Sequence, residues 1–389
     1  MRNAFLLRTS ERLNFRTSNP LTSNPYPLII MFTASRKDLA ELLALFRIVE
    51  DMAVAEGTLE GAPGEMIPVE AVMREEDKVM RCYRREADVI LIENDADDEV
   101  IRVDVSEWAH TREAIFEALR QKDDENIVLV DDPEEAFLDK IKMFQIAGTA
   151  EGQQHLLLAT PSGLMPSVVW SRAGAFPTKI LDGGRAANLK LEQTGTRFAT
   201  PMAAKVNGLE TDNSVRDRML LIEDMGSSLR YEGVADKVFR ANLGMLDLHL
   251  GRLLSEMVRL SYMEDIFKLD ELTERMRELN PLKVKTELIV KHGYYEYKVK
   301  QLLLACAAGM RPAKIYHGCE DLPPYLVVVN PNGQPMAFSS AQRMLLADFL
   351  FRTARLERGG MEKDKYGFME RENNVYYFKL NLKIGWAKR

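Results

Sequence analysis

The chain has 389 residues, of which 46% are hydrophobic and 29% are charged, a balance typical of a folded globular protein rather than a disordered or fibrous one. Its three cysteines, Cys82, Cys306 and Cys319, are too few and too scattered for a disulfide framework or a thiolate metal site. The formal net charge of −7 excludes the overall basic character that is common among nucleic-acid-binding proteins.

The N-terminal segment differs in composition from the rest of the chain. Residues 1–31 are rich in Ser, Thr, Asn and Pro and contain almost no acid, which predicts a flexible extension, or an upstream start with Met31 as the true first residue. The apolar stretch 25–32 is short, is interrupted by Pro27 and lacks a signal-peptide cleavage site. No apolar run approaches the roughly 18 residues of a membrane span. We therefore expect a cytoplasmic protein with no membrane partner.

The elements predicted up to residue 144 alternate between helices and strands. Apolar residues at helical spacing follow the capping residue Ser35, which predicts a helix with the inward positions Leu39, Leu42, Leu43, Phe46 and Val49. Apolar runs at 89–92 and 100–103 predict a hairpin. The pattern then predicts a helix over 109–122, a strand over 127–130 and a helix over 133–144 that begins with proline.

Helices dominate the second half of the chain. Strands over 155–159 and 167–170 flank the turn residues between them and predict a second hairpin. The remaining patterns predict helices over 215–225, 234–262, 269–279 and 294–309, and strands over 325–329 and 375–384. We expect a flexible extension, an α/β core and a helical region with C-terminal strands packed on that core, over residues 1–31, 32–212 and 213–389 respectively.

The charge is unevenly distributed along the chain. Residues 37–150 hold 13 Lys and Arg against 30 Asp and Glu, whereas residues 151–389 hold 34 against 28. This segregation permits the C-terminal two thirds to face a polyanion while the acidic third faces solvent or a basic partner.

Four segments share their residue order with a known family. The segment 167–189 places glycines, small residues and a Pro-Thr pair after an apolar strand, and the segments 239–247, 297–312 and 377–384 read F-R-A-N-L-G-M-L-D, Y-K followed by G-M-R-P, and Y-F-K-L-N-L-K-I. Over roughly residues 33–386 the chain resembles the HpaII-type family of type II restriction endonucleases. The resemblance implies an α/β, restriction-endonuclease-like fold, with a mixed sheet core flanked by helices and a largely helical C-terminal half. It also implies double-stranded DNA as partner and Mg²⁺ as the cofactor of an active enzyme.

The catalytic motif of that family is altered in this chain. Where the family carries its catalytic lysine in a Ser-Ile-Lys-Ser strand, this sequence has Trp170, followed by Ser171 and Arg172, and where the preceding strand begins with Asp it has His155, or Gln154 with a different gap. An indole supplies no positive charge, and Mg²⁺ prefers oxygen ligands to imidazole. The resemblance therefore predicts a homologue that binds DNA but has lost or altered metal-dependent hydrolysis, and that needs no cofactor.

Weaker candidates remain for a displaced metal site. Asp38 and Glu41 lie in the helix that matches the family's opening helix, Glu151 is the only acid between residues 147 and 175, and Asp182 precedes a Gly-Gly turn. A first-turn acid also suits the helix dipole, and an aspartate before glycines also suits a turn. The alternative hypothesis is an active enzyme that uses Mg²⁺ with migrated ligands and with Lys179 or Lys190 as the displaced lysine.

Basic and polar residues after the catalytic strand suit a sugar-phosphate backbone. The predicted DNA contacts are Ser171, Arg172, Thr178, Lys179, Arg185 and Asn188 in this loop, and Arg352 and Arg355, which with Arg358 have near-helical spacing. Both groups equally fit an ordinary basic surface. A third hypothesis is an interaction subunit without DNA contact, whose acidic third binds a basic partner. We expect a DNA methyltransferase or another subunit of a prokaryotic defence system as the protein partner.

Overall fold

The computed structural model describes residues 32–387, apart from 77, 97–98, 123–126, 131, 144–145 and 147–154. The predicted extension and the candidate ligand Glu151 lie outside the described residues. Residues Phe32–Arg389 form a single compact unit. None of the described helices is both long enough and apolar enough to cross a bilayer.

Helices occur along the whole described chain. They are α1 (Arg36–Asp51), α2 (Val105–Arg120), α3 (Asp132–Lys140), α4 (Thr200–Asn207), α5 (Ser214–Asp224), α6 (Lys237–Leu246), α7 (Leu250–Met263), α8 (Leu269–Leu279), α9 (Thr286–His292), α10 (Tyr294–Ala307), α11 (Arg343–Thr353) and α12 (Met361–Asp364). Short 3₁₀ helices cover Gly184–Ala187 and Ser340–Gln342.

The strands that the structure describes are spread over four sheets. They are β1 (Phe32–Ser35), β2 (Ala53–Gly57), β3 (Pro63–Pro68), β4 (Ala71–Glu76), β5 (Val79–Glu86), β6 (Val89–Asn94), β7 (Ile101–Asp104), β8 (Ile127–Val130), β9 (Leu156–Thr160), β10 (Gly163–Ser171), β11 (Asn188–Gly195), β12 (Ser227–Val234), β13 (Tyr325–Val329), β14 (Pro335–Ser339), β15 (Arg355–Leu356), β16 (Met369–Glu372), β17 (Val375–Asn381) and β18 (Ile384–Gly385).

The largest sheet has ten strands among the described residues, in the order β3-β2-β14-β13-β10-β9-β4-β5-β6-β7. The pairs β10–β13 and β14–β2 are parallel, and the other pairs in this sheet are antiparallel. A four-stranded sheet has the order β12-β11-β17-β16. A mixed sheet flanked by helices confirms the predicted α/β, restriction-endonuclease-like fold. Strands β13 and β14, from the C-terminal half, complete the middle of the large sheet.

Helix α1 packs on the large sheet through its apolar side and on α2 through aromatic stacking. Its capping residue Ser35 accepts the N–H of Asp38 at 3.1 Å, as the sequence predicts. The ring of Trp108, from α2, stacks on Phe46 with centroids 3.8 Å apart, and its Nε1 donates to the Phe46 carbonyl at 2.9 Å. The helix ends at Met52, which adopts a left-handed conformation. Because most residues of α1 are buried, the helix cannot shift, and the polar residues that it carries have fixed positions.

Strand β10 separates two hydrophobic cores. Val169 packs in the core that contains the apolar side of α1, whereas its neighbour Trp170 packs in the core formed mainly by the C-terminal helices. The parallel strand β13 alternates in the same way, with Val327 in the first core and Val328 in the second. Successive side chains of a strand point to opposite faces, so these two cores cover the two sides of the sheet.

Most predicted elements are confirmed, several differ, and others, such as β2, β14 and α4, were not predicted. The predicted strand over 375–384 ends at Asn381. The predicted helix over 234–262 is wrong, because α6 ends at Leu246 and extended Asp247 turns the chain by accepting the His249 N–H at 2.7 Å. The hairpin of β4 and β5 was not predicted, because charged residues interrupt its apolar pattern. The predicted 161–166 turn is a two-residue turn, since β10 already begins at Gly163.

Candidate functional site

The candidate site begins where the start of β9 meets α1. The backbone N–H of His155 donates to the Ser167 carbonyl at 2.8 Å, and its Nδ1 accepts the backbone N–H of Val169 at 3.1 Å. An accepting Nδ1 carries no proton, so the imidazole is neutral with its proton on Nε2. Burial favours the same state, because it lowers the pKa of His155 below its ordinary value. The residue at the family's Asp position is therefore an uncharged ring.

Glu41 faces this histidine from α1 but takes its countercharge from elsewhere. Its Oε2 lies 3.5 Å from Nδ1 of His155, a contact without an ion pair since the ring is neutral. Arg74, on β4, donates from Nε to Glu41 Oε1 at 2.9 Å. The side chain of Arg74 is fully buried and that of Glu41 nearly so. The surviving carboxylate of the family's opening helix is thus neutralised by an internal guanidinium.

The same guanidinium belongs to a larger buried network. Glu76 accepts from Arg74 Nη1 at 3.4 Å, from Arg81 Nη1 at 3.0 Å and from the Tyr83 hydroxyl at 2.5 Å. Burial alone would lower the pKa of Arg74, but the carboxylates of Glu41 and Glu76 outweigh it and raise that pKa. Burial and the Glu76 carboxylate raise the pKa of Tyr83 well above its ordinary value. Two carboxylates and two guanidiniums balance one another inside the protein.

Sequence reasoning missed this network. Residues 72, 74 and 76 lie on one face of β4 and all three are buried. In the sequence, the apolar Val72 is followed at two-residue spacing by Arg74 and Glu76, which have opposite charges. This spacing could have indicated an ion pair on the buried face of a strand. The signal is weak, because charged residues on a strand usually lie in solvent.

Trp170 lies on the opposite side of the sheet from Glu41. It is 5% exposed and packs edge-on against Trp386, with ring centroids 6.0 Å apart. The Nε1 of Trp386 donates to Thr353 Oγ1 at 3.1 Å, which ties the C-terminal end of the chain to α11. Trp170, which the resemblance places at the position of the family's lysine, therefore supports the second core.

Arg172 continues the Trp170 side of the strand. Its N–H donates to the Val329 carbonyl at 2.8 Å, and its guanidinium lies 5.5 Å above the ring of Phe349 and contacts Asn330 Oδ1 at 3.4 Å. Burial lowers the pKa of Arg172. The three motif positions 155, 170 and 172 are thus not brought together in one site.

A cleft of about 410 Å³ opens between the start of α1 and the loop after β10. The polar and charged residues that line it include Ser35, Lys37, Ser171, Thr178, Lys179 and Asp182. The Ser171 N–H donates to Thr178 Oγ1 at 2.9 Å, and the Thr178 N–H donates to the Ser171 carbonyl at 2.8 Å, which closes the loop. Three of the predicted DNA contacts thus meet here, joined by the exposed Lys37, which the sequence did not single out.

The other predicted DNA contacts lie elsewhere. Asn188 is buried and donates from Nδ2 to the Asp364 carbonyl at 2.8 Å, and Arg185 donates from Nε to the Lys363 carbonyl at 3.1 Å. Both side chains therefore fasten the loop to the segment that contains α12.

The C-terminal arginines do not form one helical face. Helix α11 ends at Thr353, so positions 352, 355 and 358, which have near-helical spacing in the sequence, do not share a helix. Arg352 is 54% exposed and lies 3.9 Å from Glu60. Arg355, in β15, lies 5.5 Å above the ring of Phe267, whereas Arg358 stacks at 3.2 Å on Tyr262. Only Arg352 of the three presents its charge mainly to solvent.

The candidate metal ligands do not converge either. Asp38 pairs with the capping Ser35 hydroxyl, and Asp182 accepts from Lys383 at 2.8 Å and from the Gly184 N–H at 3.1 Å. Burial opposes ionisation of Asp182, but these two donors hold its pKa below the ordinary value. Within the described part of the chain, no three His, Cys, Asp or Glu residues are grouped so that they could hold a metal ion.

These residues do not fit Mg²⁺ at the family position. Mg²⁺ is a hard cation that is held by carboxylates and water. Here the neighbouring donor is the neutral ring of His155, and the carboxylate of Glu41 is already bound to the guanidinium of Arg74. A second cation at that carboxylate would be repelled by the buried positive charge.

The chain matches the family described as HpaII restriction endonuclease over residues 35–386. It is 22% identical over 366 residues to the type II restriction enzyme HpaII of Haemophilus parainfluenzae, covering 91% of this chain and 98% of that protein. No solved structure matches it significantly. Because the match spans nearly all of the folded unit, the chain belongs to the HpaII restriction endonuclease family.

Proposed function

We propose that this protein is a DNA-binding member of the family that has lost metal-dependent phosphodiester hydrolysis. One observation carries the proposal: the Glu41 carboxylate is paired at 2.9 Å with buried Arg74, and its other polar neighbour, His155, is uncharged. Hydrolysis of the anionic diester needs a metal-bound carboxylate site and a positive group that stabilises developing charge. Among the described residues of the Glu41–His155 cluster, the carboxylate already has an internal countercharge, and the positive group, Arg74, is itself paired.

The cleft beside this cluster supports DNA binding. Lys37 lies in the first turn of α1, where the positive end of the helix dipole adds to its charge. Lys179 lines the opposite wall, although Glu357 pairs with it at 2.7 Å. A duplex presents a regular row of phosphates to such cations, and contacts of this kind position a protein without reading sequence.

Fluorescence anisotropy with a labelled duplex tests the binding, and plasmid cleavage in Mg²⁺ or Mn²⁺ tests the chemistry. We expect affinity that falls as salt rises, with the logarithmic slope steeper by about 0.9 for each phosphate contacted. We expect the plasmid to remain uncut. The double variant Lys37→Ala/Lys179→Ala should lower the affinity. It should also reduce the salt slope by up to about 1.8, which corresponds to the loss of two phosphate contacts.

Lys285→Ala provides the matched control, since Lys285 is an exposed lysine that does not line the cleft. Its affinity and salt slope should equal those of the unmodified protein. Site-specific cutting would overturn the loss of hydrolysis, whereas salt-independent binding or none would overturn the DNA contact. The latter result would favour the interaction-subunit hypothesis.

A second candidate is an active endonuclease with displaced catalytic groups. It is favoured by Asp182 and Lys179, which line the same cleft as Ser171. Their pairing with Lys383 and Glu357 weakens that case. If the plasmid is cut, Asp182→Ala and Lys179→Ala should abolish cutting under this hypothesis. Glu151 remains a candidate ligand for the same test.

We further propose that the protein acts in the cytoplasm within a prokaryotic defence system. Membership of a restriction endonuclease family supports this role. Co-purification with the product of a neighbouring gene tests it. Recovery of a methyltransferase or another nuclease subunit would support the proposal, and recovery of the protein alone would oppose it.

A further inference from the structure

The guanidinium of Arg74 is the centre of the buried cluster beside His155. Nε donates to Glu41 at 2.9 Å, Nη1 to Glu76 at 3.4 Å, and Nη2 to the carbonyl of Ile146. Each of its three nitrogens therefore has an acceptor, and the whole side chain is buried. A planar group with this many fixed partners is locked in place.

The two carboxylates depend on this arginine to different degrees. Glu76 has Arg81 at 3.0 Å and the Tyr83 hydroxyl as further partners. For Glu41, Arg74 supplies the cationic partner, because the nearby ring of His155 is neutral. A buried carboxylate without a countercharge is strongly unfavourable. Removal of Arg74 would therefore leave Glu41 in need of another cation.

We propose that Arg74 is a built-in cation that occupies the electrostatic position of a divalent metal against Glu41. The inference rests on the proposed loss of hydrolysis and deepens it. His155 is then one of two barriers to metal binding, and Arg74 is the second. Restoring a carboxylate at position 155 is not sufficient, because the guanidinium still neutralises Glu41 and repels a metal ion.

Binding of Mn²⁺, measured by loss of the free-ion electron paramagnetic resonance signal, tests this inference without reference to activity. The unmodified protein and His155→Asp should leave the signal unchanged. The double variant His155→Asp/Arg74→Gln should bind Mn²⁺ at least about tenfold more tightly than either protein, because Glu41 and Asp at position 155 then share no internal cation. Mn²⁺ should also raise its unfolding temperature.

Two variants control for charge and for cavity formation. His155→Asp/Arg74→Lys keeps a cation at the same position and should not bind Mn²⁺. His155→Asp/Arg81→Gln removes another buried arginine of the network, one that contacts Glu76 but not Glu41, and should also not bind. Binding by either control equal to that of the Arg74→Gln variant would overturn the proposal.

The remaining outcomes are also decisive. Equal Mn²⁺ binding by His155→Asp alone and by the Arg74→Gln double variant would overturn the role of Arg74. If the double variant is unfolded without metal, Mn²⁺ should restore its folded circular dichroism spectrum, and no restoration overturns the proposal. Binding of Mn²⁺ at this cluster by the unmodified protein would overturn both the role of Arg74 and the proposed loss of hydrolysis. Equal binding by His155→Asp or by a control variant, without binding by the unmodified protein, would overturn only the role of Arg74, so the two failures are distinguishable.

Discussion

The two faces of strand β10 have different roles. On the α1 side, Val169 and Ser171 adjoin the Glu41–His155 cluster and the cleft. On the other side, Trp170 and its neighbours fill the C-terminal core. A one-residue step along the strand thus leads from the face that borders the candidate site to the face on which Trp170 packs in the C-terminal core.

This difference changes how the altered motif is understood. A lysine at position 170 would project from the face opposite Glu41, if the backbone kept its present register. The tryptophan is therefore an integral part of the core. Under the proposed loss of hydrolysis, we expect that Trp170→Lys alone does not restore activity, because the lysine would lie on the face opposite Glu41.

Trp170→Ala should give the largest loss of stability. Removing a buried tryptophan that packs on Trp386 costs about 3–5 kcal/mol, since the cavity collapses only in part. Trp170→Lys should cost at least as much, because it also buries an ammonium group. Urea unfolding followed by circular dichroism measures both losses. A stable Trp170→Lys variant that cuts plasmid DNA would contradict the assignment of the two faces.

On the other face, His155 should make stability depend on pH. Its pKa in the folded protein lies below the ordinary value of 6.5, because burial outweighs the nearby Glu41 carboxylate. As pH falls through that value, the unfolded chain takes up a proton before the folded chain does, so the free energy of unfolding decreases. The stabilisation is complete above the ordinary pKa and is lost as pH falls through the folded-state pKa.

His155→Asn isolates this effect, since its Oδ1 replaces Nδ1 as acceptor for the Val169 N–H. Unfolding temperatures of both proteins should differ by a constant above the ordinary pKa. Below it, the unmodified protein should lose stability faster, by no more than one proton per molecule. Parallel curves over the whole range would show that position 155 does not titrate in this way.

Sequence periodicity predicted those parts of the fold in which apolar residues are buried and charged residues are exposed. Helix α1 and the hairpins β6–β7 and β9–β10 follow apolar patterns of period 3.6 or 2 and are confirmed. The β4–β5 hairpin escaped because Arg74 and Arg81 are buried against their chemical preference. Only the pairing of these charges across the fold makes that burial tolerable, and pairing is not visible in a linear pattern.

The sequence predicted individual residues of the candidate site but not their arrangement in space. Matching the family motif identified His155 and Trp170, and the helix match identified Glu41. It did not reveal that Trp170 faces away from the other two, because that depends on strand parity and sheet packing. Nor did it reveal Arg74, which comes from a strand outside the motif. Ion pairs between distant residues, and the face of a sheet on which a side chain lies, depend on the folded chain and cannot be deduced from a sequence motif.

The smallest expected effect separates the two lysines of the cleft. Lys37 is exposed and forms no ion pair with the described residues, whereas Lys179 is paired with Glu357 at 2.7 Å. Lys37→Gln should therefore reduce the salt slope of DNA binding by about 0.9, and Lys179→Gln should reduce it less. Glu357→Gln, which frees Lys179, should strengthen binding and restore a full contact. Anisotropy titrations at several salt concentrations measure all three slopes. A larger loss for Lys179→Gln than for Lys37→Gln would mean that the phosphate backbone displaces Glu357 and follows the loop after β10 rather than the start of α1.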